Sequence, residues 1–274
     1  MSQQQNRCAW RLPDELWQRM QPLLPKYTPS PKGGQPRLPL RQVANGIFYI
    51  LRTGCQWKAA PREFGSGSSL HSYFQEWTEL GVFRELWRQT LLEYDELKGI
   101  QWEWQSVDGA MTKSPLGGKK TGKNPTDRGK LGTKRSVLTD GRGVPLGVEV
   151  SGANTHDIRL LQGTLNSKPI RRAKPTNRKR QHLCLDKGYD SDDARRYLRE
   201  RNYVPNIKSR GEEARDLKTK SGYRARRWVV ERTHSWINRF RRLLIRWEKK
   251  ADNYLAFLHF SFAWTTLSSA GVLG

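Results

Sequence analysis

The first hundred residues place apolar side chains at the spacing of α-helices. In residues 40–53, LRQVANGIFYILRT, apolar positions recur every three or four residues and the run ends at Gly54, which is typical of a core helix with a glycine after its last turn. The segments DELWQRMQPLL, LHSYFQEWTELG and VFRELWRQTLLEYDEL show the same spacing and end at Pro25, Gly81 or a polar run. We therefore predict an all-α N-terminal domain over residues 1–100.

The apolar period changes after about residue 102. The runs WEWQSVDGA, TKRSVLTDGRG and VPLGVEVSG predict three strands, and the Asp-Gly turn before the third predicts an antiparallel hairpin. A helix THDIRLLQGTL, a strand QHLCLD, a helix SDDARRYLRER and a strand YVPNI follow. A long helix from about Tyr223 to Lys250 and an apolar helix LAFLHFSFAWTTLSSA are predicted to close the chain.

This order of elements predicts an α/β domain over residues 101–274 with a mixed sheet and helices on both faces. It is the order of the ribonuclease H-like fold, although order alone also fits other α/β folds. In the N-terminal domain, a Gly and Ser turn precedes a short helix that carries His71 and Gln75. That arrangement fits a helix-turn-helix, and it fits a plain helical bundle equally well.

Charge narrows the class of partner. The chain has 50 Lys and Arg against 26 Asp and Glu, a net charge of +24, which indicates a polyanionic partner. No apolar run approaches the length of a membrane span and the start MSQQQNRCAWRLP has no apolar signal core, so we expect nucleic acid and no membrane. The three cysteines form no zinc-binding or disulfide pattern, which fits a reducing, intracellular compartment.

The basic residues fall in three clusters. Residues 168–180, KPIRRAKPTNRKR, hold seven basic residues and no acid, and residues 113–135 hold eight with five glycines; both are expected to be mobile loops suited to a phosphate backbone. The third, residues 224–250, is expected to be a DNA-contacting helix that packs its aromatic side chains on one face. The predicted phosphate contacts are Arg171, Arg172, Arg178, Lys179, Arg180, Arg239, Arg241 and Arg242.

Three acids are candidates for one site. Asp186 ends the predicted strand QHLCLD and Asp108 lies within the predicted strand WEWQSVDGA; strands one and four of a ribonuclease H-like sheet are parallel neighbours, so these acids would meet. Glu231, in RWVVERTHSWINRF, could join them from a helix. The plainer alternatives are a helix cap for Asp186, a turn for Asp108 and a surface ion pair with Arg227 for Glu231.

Three converging carboxylates repel one another unless cations lie between them, and oxygen ligands suit Mg²⁺ or Mn²⁺. Two such ions are the general solution for phosphodiester chemistry. No Walker-type phosphate-binding string is present, so no ATP is expected. Five further acids are weaker candidates: Asp140, Glu149, Asp157, Asp190 and Glu248. Of these, Asp140 is predicted to lie in a turn, Asp157 near a helix start and Asp190 in a cap.

Long strings of this chain resemble the DDE transposases of bacterial insertion sequences, in particular the insertion sequence 5 family. The similar strings are GQPRLPLRQVANGIFYILRTGCQWKAAPREFG and SYFQEWTELGVF at the front, and VLTDGRGVPLGVEVSGANTHD, DKGYDSD and YRARRWVVERTHSWINRFRRLLIRWEKKADNYLAFL in the second part. The resemblance covers nearly the whole chain. It implies that Asp108, Asp186 and Glu231 form the metal-binding triad, in agreement with the choice made from the residues.

The resemblance also implies a Tyr, Arg, Glu, Lys signature on the last catalytic helix. Tyr223, Arg227 and Glu231 match it, and Asn238 stands where the family has Lys, so Arg239 is expected to contact the DNA backbone instead. A second departure is Gly109, where the family commonly has Ser. As members of this signature, Tyr223 and Arg227 are expected to contact DNA.

The expected function is a transposase that binds terminal inverted repeats, cleaves at the element ends and joins 3′-hydroxyls to target DNA with two Mg²⁺ or Mn²⁺ ions. Double-stranded DNA is the expected partner, with a homodimer on DNA, in the bacterial cytoplasm and at the nucleoid when DNA-bound. Residues 1–100, including His71 and Gln75, are expected to read the repeats. The alternatives are a ribonuclease H-like nuclease without strand transfer and a domesticated, inactive DNA-binding protein.

Overall fold

The N-terminal part of the chain is helical, as predicted. A computed structural model describes residues 10–28, 36–207, 210–219 and 228–273. The helices before residue 100 are α1 (Asp14–Met20), α2 (Leu40–Thr53), α3 (Gly67–Glu79) and α4 (Val82–Lys98), with single 3₁₀ turns at Gln21–Leu23, Trp57–Ala59 and Arg62–Phe64. Helix α2 ends as its sequence predicts, because Gly54 has a φ of 72° and donates its N–H to the carbonyl of Ile50.

The second part is built on a mixed sheet. Its strands are β1 (Trp104–Lys113), β2 (Gly122–Lys123), β3 (Leu131–Thr139), β4 (Pro145–Gly152), β5 (Gln181–Leu185) and β6 (Tyr203–Ile207). Strand β3 pairs antiparallel with β1, β4 and the short β2, whereas β1, β5 and β6 run parallel. Three antiparallel strands continued by two parallel ones, in the order β4-β3-β1-β5-β6, form the predicted ribonuclease H-like sheet.

Helices cover both faces of this sheet. Helices α5 (Asp157–Asn166), α6 (Asp192–Glu200) and α8 (Trp228–Asn238) contact its strands, and the chain also forms α7 (Arg210–Thr219). Thr164 of α5 donates a hydrogen bond to Ser136 of β3, whereas Arg135, the preceding residue on β3, donates one to Asn238 of α8. Because successive strand residues point to opposite faces, α5 and α8 lie on opposite sides of the sheet.

The last helix, α9 (Ala251–Ala270), joins the two parts of the chain. Its aromatic side chains pack on the N-terminal helices: Phe257 stacks on Phe74 with ring centroids 4.3 Å apart, and Phe262 meets Trp87 edge-on at 5.1 Å. One buried apolar cluster therefore runs from α2, α3 and α4 through α9 to the sheet. The predicted boundary near residue 100 coincides with the change from helix to sheet, but the N-terminal helices share their core with the C-terminal helix.

The predicted long helix from Tyr223 to Lys250 is wrong in its second half. Residues 223–227 lie outside the described part of the chain, and helix α8 ends at Asn238. A 3₁₀ turn at Arg241–Leu243 follows, and Ile245 then forms a bridge with Lys113 at the end of β1. Tertiary contacts override the helical pattern here, since Arg246 donates its backbone N–H to the Lys113 carbonyl at 2.8 Å.

The basic segment 113–135 is also more ordered than its composition predicts. Its last five residues belong to β3, where Lys134 and Arg135 are buried. Asp127 and Gly129 donate backbone hydrogen bonds to Asn124 in a turn between β2 and β3. Among the residues that the structure describes, Cys55 and Cys184 form no disulfide. None of the described helices combines the length and the apolar character that a membrane span requires.

Candidate active site

The parallel pairing of β1 with β5 brings Asp108 and Asp186 together. Ser106 on β1 is in register with Cys184 on β5, and two residues further along, β1 reaches Asp108 while β5 has ended and the chain reaches Asp186. Since neighbouring strands lie about 5 Å apart, this register places both acids side by side at the carboxyl end of β5. The sheet thus places side by side two acids that are far apart in the sequence.

Asp186 is a cap as well as a site candidate. Its Oδ1 accepts the N–H of Gly188 at 2.9 Å and caps the 3₁₀ turn Lys187–Tyr189. The plainer of the two predictions for this residue is therefore correct as far as one oxygen is concerned. The cap fixes the direction of the carboxylate and leaves its second oxygen outside this hydrogen bond.

Asp108 has the environment of a functional carboxyl group. Its Oδ1 accepts the N–H of Gly109 at 2.8 Å. Burial, and to a smaller extent the negative charges of Asp186, Glu231 and Asp157, raise the pKa of Asp108 to about 6, against the lowering effect of that hydrogen bond. A strongly raised carboxyl pKa that arises from burial and from like charges marks a place where a cation would be stabilised.

Glu231 reaches the same centre from α8. It lies in the first turn of that helix, on an exposed position, and its charge acts on Asp108. The alternative ion pair with Arg227 lies outside the described residues, as does Tyr223. The charges of Asp186, after β5, and of Glu231, on α8, thus both act on Asp108, which lies within β1.

The chemistry of these donors suits a divalent cation. All three are carboxylates, which Mg²⁺ and Mn²⁺ prefer, and their mutual repulsion at Asp108 is relieved by positive charge. Within residues 10–28, 36–207, 210–219 and 228–273, no three Asp, Glu, His or Cys side chains are gathered closely enough to enclose a metal ion. The acids are therefore electrostatically coupled without forming a closed ligand set.

Two buried residues beside the acids were not predicted. Tyr189, three residues after Asp186, is fully buried, and burial together with the charges of Asp157, Asp108 and Asp186 raises its pKa well above the usual value. His234, one turn after Glu231 on α8, is 7% exposed, and burial followed by the charge of Arg135 lowers its pKa to about 3. The string DKGYDSD contains Tyr189, but nothing in its spacing indicates that the ring turns inward.

Most of the other candidate acids have structural partners. Asp140 accepts the N–H groups of Val144 at 2.9 Å and Arg142 at 2.8 Å, in the turn between β3 and β4. Asp190 pairs with Arg195, and Glu248 with Arg242, both at 2.7 Å. These three acids therefore have structural roles. Asp157 differs from them, because its charge acts on Asp108.

The basic loop, residues 168–180, contains exposed cations and one anchored arginine. Arg171, Arg178, Lys179 and Arg180 are exposed. Arg172 instead lies over the ring of Tyr203 at 3.5 Å and donates to the backbone carbonyls of Arg201 at 2.8 Å and Asn202 at 3.1 Å. Its guanidinium is therefore committed to the fold, contrary to the prediction that it contacts phosphate.

The segment of residues 239–250, which we call the arginine segment, separates the predicted contacts in the same way. Arg239 and Arg241 are exposed, but Arg242 is 5% exposed and donates to Glu248 and to the backbone carbonyl of Cys55. The predicted phosphate contact of Arg242 is therefore corrected to an internal one. Asn238, which stands in the position expected for Lys, accepts a hydrogen bond of 2.6 Å from the buried Arg135.

The two residues of α3 proposed for base recognition face other parts of the protein. The His71 ring packs on Trp57 at 4.8 Å, and Gln75 accepts a hydrogen bond of 2.9 Å from Lys250. Both side chains are half-buried, whereas Ser68, Ser72 and Glu79 are exposed on this helix. A role in reading DNA would fall to the exposed positions.

Two family models match successive parts of the chain. Residues 12–87 match a family described as "Putative transposase of IS4/5 family", and residues 104–265 match one described as "Transposase DDE domain". The second match contains Asp108, Asp186 and Glu231.

Two proteins of Burkholderia cepacia are similar in sequence. "Putative transposase for insertion sequence element IS402" is 43% identical over 157 residues, which cover 55% of this chain and 72% of that protein. "Insertion element IS402 uncharacterized 16.2 kDa protein" is 31% identical over 116 residues, covering 41% of this chain and 79% of that protein. Among solved structures, the catalytic domain of Mos1 mariner transposase matches 68% of this chain and 90% of its own, at 14% identity and a TM-score of 0.30.

Proposed function

We propose that this chain, which belongs to the family of transposases with a DDE domain and is a DDE-type polynucleotidyl transferase and endonuclease, moves an insertion sequence. In this proposal it binds the terminal inverted repeats of the element, cleaves at the ends and joins the freed 3′-hydroxyls to target DNA. A homodimer on DNA brings the two ends of the element together.

The observation that carries the proposal is the coupling of three acids from separate elements. Asp108 on β1 and Asp186 after β5 are adjacent through the parallel register of the two strands, and the charges of Asp186 and Glu231 act on the buried Asp108. A purely structural protein gains nothing from bringing like charges together at a sheet edge, because each one destabilises the others.

In this reaction Asp108, Asp186 and Glu231 would hold two Mg²⁺ or Mn²⁺ ions. When bound, such ions activate the attacking water or 3′-hydroxyl and stabilise the leaving oxygen. The protein's own contribution is to orient the acids: the Gly188 N–H fixes Asp186 and the Gly109 N–H fixes Asp108. These hydrogen bonds to ionised carboxylates favour the charged forms that a cation requires.

The exposed cations would hold the DNA. Arg171, Arg178, Lys179 and Arg180 in the basic loop and Arg239 and Arg241 in the arginine segment are exposed, so their charges are available to phosphates. Tyr223 and Arg227 belong to the proposal through the family signature. The N-terminal helices contribute recognition of the repeats through exposed polar positions such as Ser72.

A cleavage and strand-transfer assay with the full chain tests this function. The substrates are duplexes that carry candidate inverted repeats, with Mg²⁺ or Mn²⁺, and the variants are Asp108→Asn, Asp186→Asn and Glu231→Gln. Each variant keeps the shape of the side chain and removes its charge, so DNA binding should persist while both reactions fall by about a thousandfold or more. Asp190→Asn is the matched control, because this acid lies four residues after Asp186 and pairs with Arg195.

The outcomes separate the alternatives. Loss of both reactions in the triad variants and full activity in Asp190→Asn support the proposal. Cleavage by the wild-type chain without joining would identify a nuclease, and specific binding without cleavage would identify an inactive DNA-binding protein. Activity in any triad variant close to that of the wild type contradicts the assignment of that residue.

A further inference from the structure

The residue after Asp108 faces a second, unassigned acid. Gly109 lies on the face of β1 opposite that of Asp108, and a Cβ placed on it would lie 2.2 Å from Oδ1 of Asp157. Real Cβ atoms essentially never approach another heavy atom within 3.0 Å. Asp157, at the start of α5, therefore occupies the space that any side chain at position 109 would need.

Asp157 is held in this place by a buried lysine. Lys134 of β3 lies with its Nζ 3.0 Å from Oδ2 of Asp157, and its side chain is 8% exposed. Lys134 Cδ lies 3.4 Å from the Cβ position of Gly109, so the pair as a whole rests against this residue. The other oxygen of Asp157, Oδ1, is buried and has no hydrogen-bond partner among the residues that the structure describes.

The tyrosine beside the acids connects the two sides of the strand electrostatically. The Tyr189 ring is fully buried, and the charges of Asp157 and Asp108 both act on its hydroxyl. The charge of Asp157 also acts on Asp108, although its effect there is smaller than the effects of Asp186 and Glu231. Asp157 is thus electrostatically coupled to Asp108, although the two side chains lie on opposite faces of β1.

We propose that Asp157 and Lys134 are positioning residues for Asp108. They contact β1 at Gly109, on the face opposite Asp108, and their charges set the electrostatic potential where Asp108 would bind a divalent cation. The inference rests on the proposed function, in which Asp108 holds such a cation. The two partners have opposite charges, so their removal should change cation affinity in opposite directions. A pair that served the fold alone would not produce that pattern.

Mn²⁺ binding to the full chain without DNA provides the test. The concentration of free Mn²⁺ is followed by electron paramagnetic resonance for the wild type, Asp157→Asn and Lys134→Met. Removal of the negative charge should weaken binding roughly three- to tenfold, and removal of the positive charge should strengthen it by a similar factor. Glu149→Gln is the control. Glu149, on β4 of the same sheet, forms a 3.0 Å ion pair with Lys120, and its substitution should leave the Mn²⁺ affinity unchanged.

A change in the same direction for both variants, or no change in either, overturns the inference. Asp108→Asn separates this failure from failure of the proposed function. If the wild type binds Mn²⁺ and Asp108→Asn does not, the cation site stands whichever way the Asp157 and Lys134 variants behave. If Asp108→Asn binds Mn²⁺ as the wild type does, Asp108 is no ligand and the proposed function loses its basis together with the inference.

A steric test does not depend on cation binding or on the folding of the lysine variant. Gly109→Ala should lower the thermal unfolding midpoint by roughly 3–6 °C, because the new methyl group displaces Asp157. In an Asp157→Ala background the same substitution should cost less than half as much, since the obstructing oxygen is gone. Equal losses in both backgrounds would show that Asp157 does not occupy this space.

Discussion

The basic loop and the arginine segment are both rich in basic residues, but only the arginine segment buries guanidinium groups fully. In the basic loop, residues 168–180, most cations are exposed, whereas Arg172 lies over the Tyr203 ring and Lys168 donates a hydrogen bond to the Leu165 carbonyl. In the arginine segment, residues 239–250, Arg242 and Arg246 are 5% and 1% exposed, while Arg239 and Arg241 face outward. The comparison shows that a basic string does not by itself identify a surface that binds DNA.

The difference depends on the acceptors that the fold supplies. Arg246 donates to the backbone carbonyls of Lys119 at 2.6 Å and Glu248 at 2.8 Å, and to Oγ1 of Thr133 at 2.7 Å. A guanidinium can be buried when most of its N–H groups have acceptors of this kind. The exposed cations of the basic loop lie outside any such set, which leaves their charge for a partner.

The largest effect that would sharpen this contrast is expected from Arg246→Ala. The substitution removes a guanidinium from a site built of carbonyl groups, leaves those acceptors unpaired and opens a cavity, so it should lower the free energy of unfolding by about 3–5 kcal/mol. Urea denaturation of the full chain measures it. Arg241→Ala, an exposed arginine of the same segment, is the control and should stay within about 0.5 kcal/mol of the wild type.

The second effect concerns the exposed side of the comparison. Replacement of Arg171, Arg178, Lys179 and Arg180 by Ala should weaken binding to DNA of any sequence by roughly ten- to a hundredfold at moderate salt. The slope of log K against log salt should fall by about one for each phosphate that the protein no longer neutralises. Binding titrations at several salt concentrations measure both, and urea denaturation should show unchanged stability. A binding loss confined to the inverted repeats would instead assign base recognition to this loop.

The smallest effect is expected from Arg172→Ala, because this arginine of the basic loop contacts the fold. Loss of its contact with Tyr203 and of its hydrogen bonds to the carbonyls of Arg201 and Asn202 should lower the free energy of unfolding by about 1–2 kcal/mol. The salt slope of DNA binding should stay the same, because this guanidinium does not face a phosphate. Arg171→Ala is the matched neighbour and should show the reverse: a smaller slope and unchanged stability.

Periodicity predicted the fold well wherever local and tertiary preferences agree. Helix α2 has the predicted bounds, Leu40–Thr53, because its apolar stripe and glycine cap both favour the helix. The pattern failed after Asn238, where the residues suit a helix but the chain turns to place Arg242 and Arg246 against internal acceptors. Helix propensity is weak, at most about 1 kcal/mol for most residues, and a buried guanidinium outweighs it.

The candidate site was predictable in its acids and not in its surroundings. Asp108 and Asp186 follow from their places within one predicted strand and at the end of another, and the charges of Asp186 and Glu231 both act on Asp108, while the triad itself stays a prediction. Asp157 is predicted from the sequence as a helix-start acid, which it is. Its close approach to Gly109 could not be predicted from residue spacing, because the two residues are 48 positions apart in the chain.

The sequence by itself determined the elements and the class of chemistry. These are local features: apolar spacing, turn residues and acids within or just after a strand. They depend on the preferences of residues that are neighbours along the chain. The tertiary structure alone decided which charges are available. Packing decides whether an arginine donates to a carbonyl or to water, because burial and charge pairing depend on neighbours in space. It also decides that Lys134 pairs with Asp157 beside Gly109.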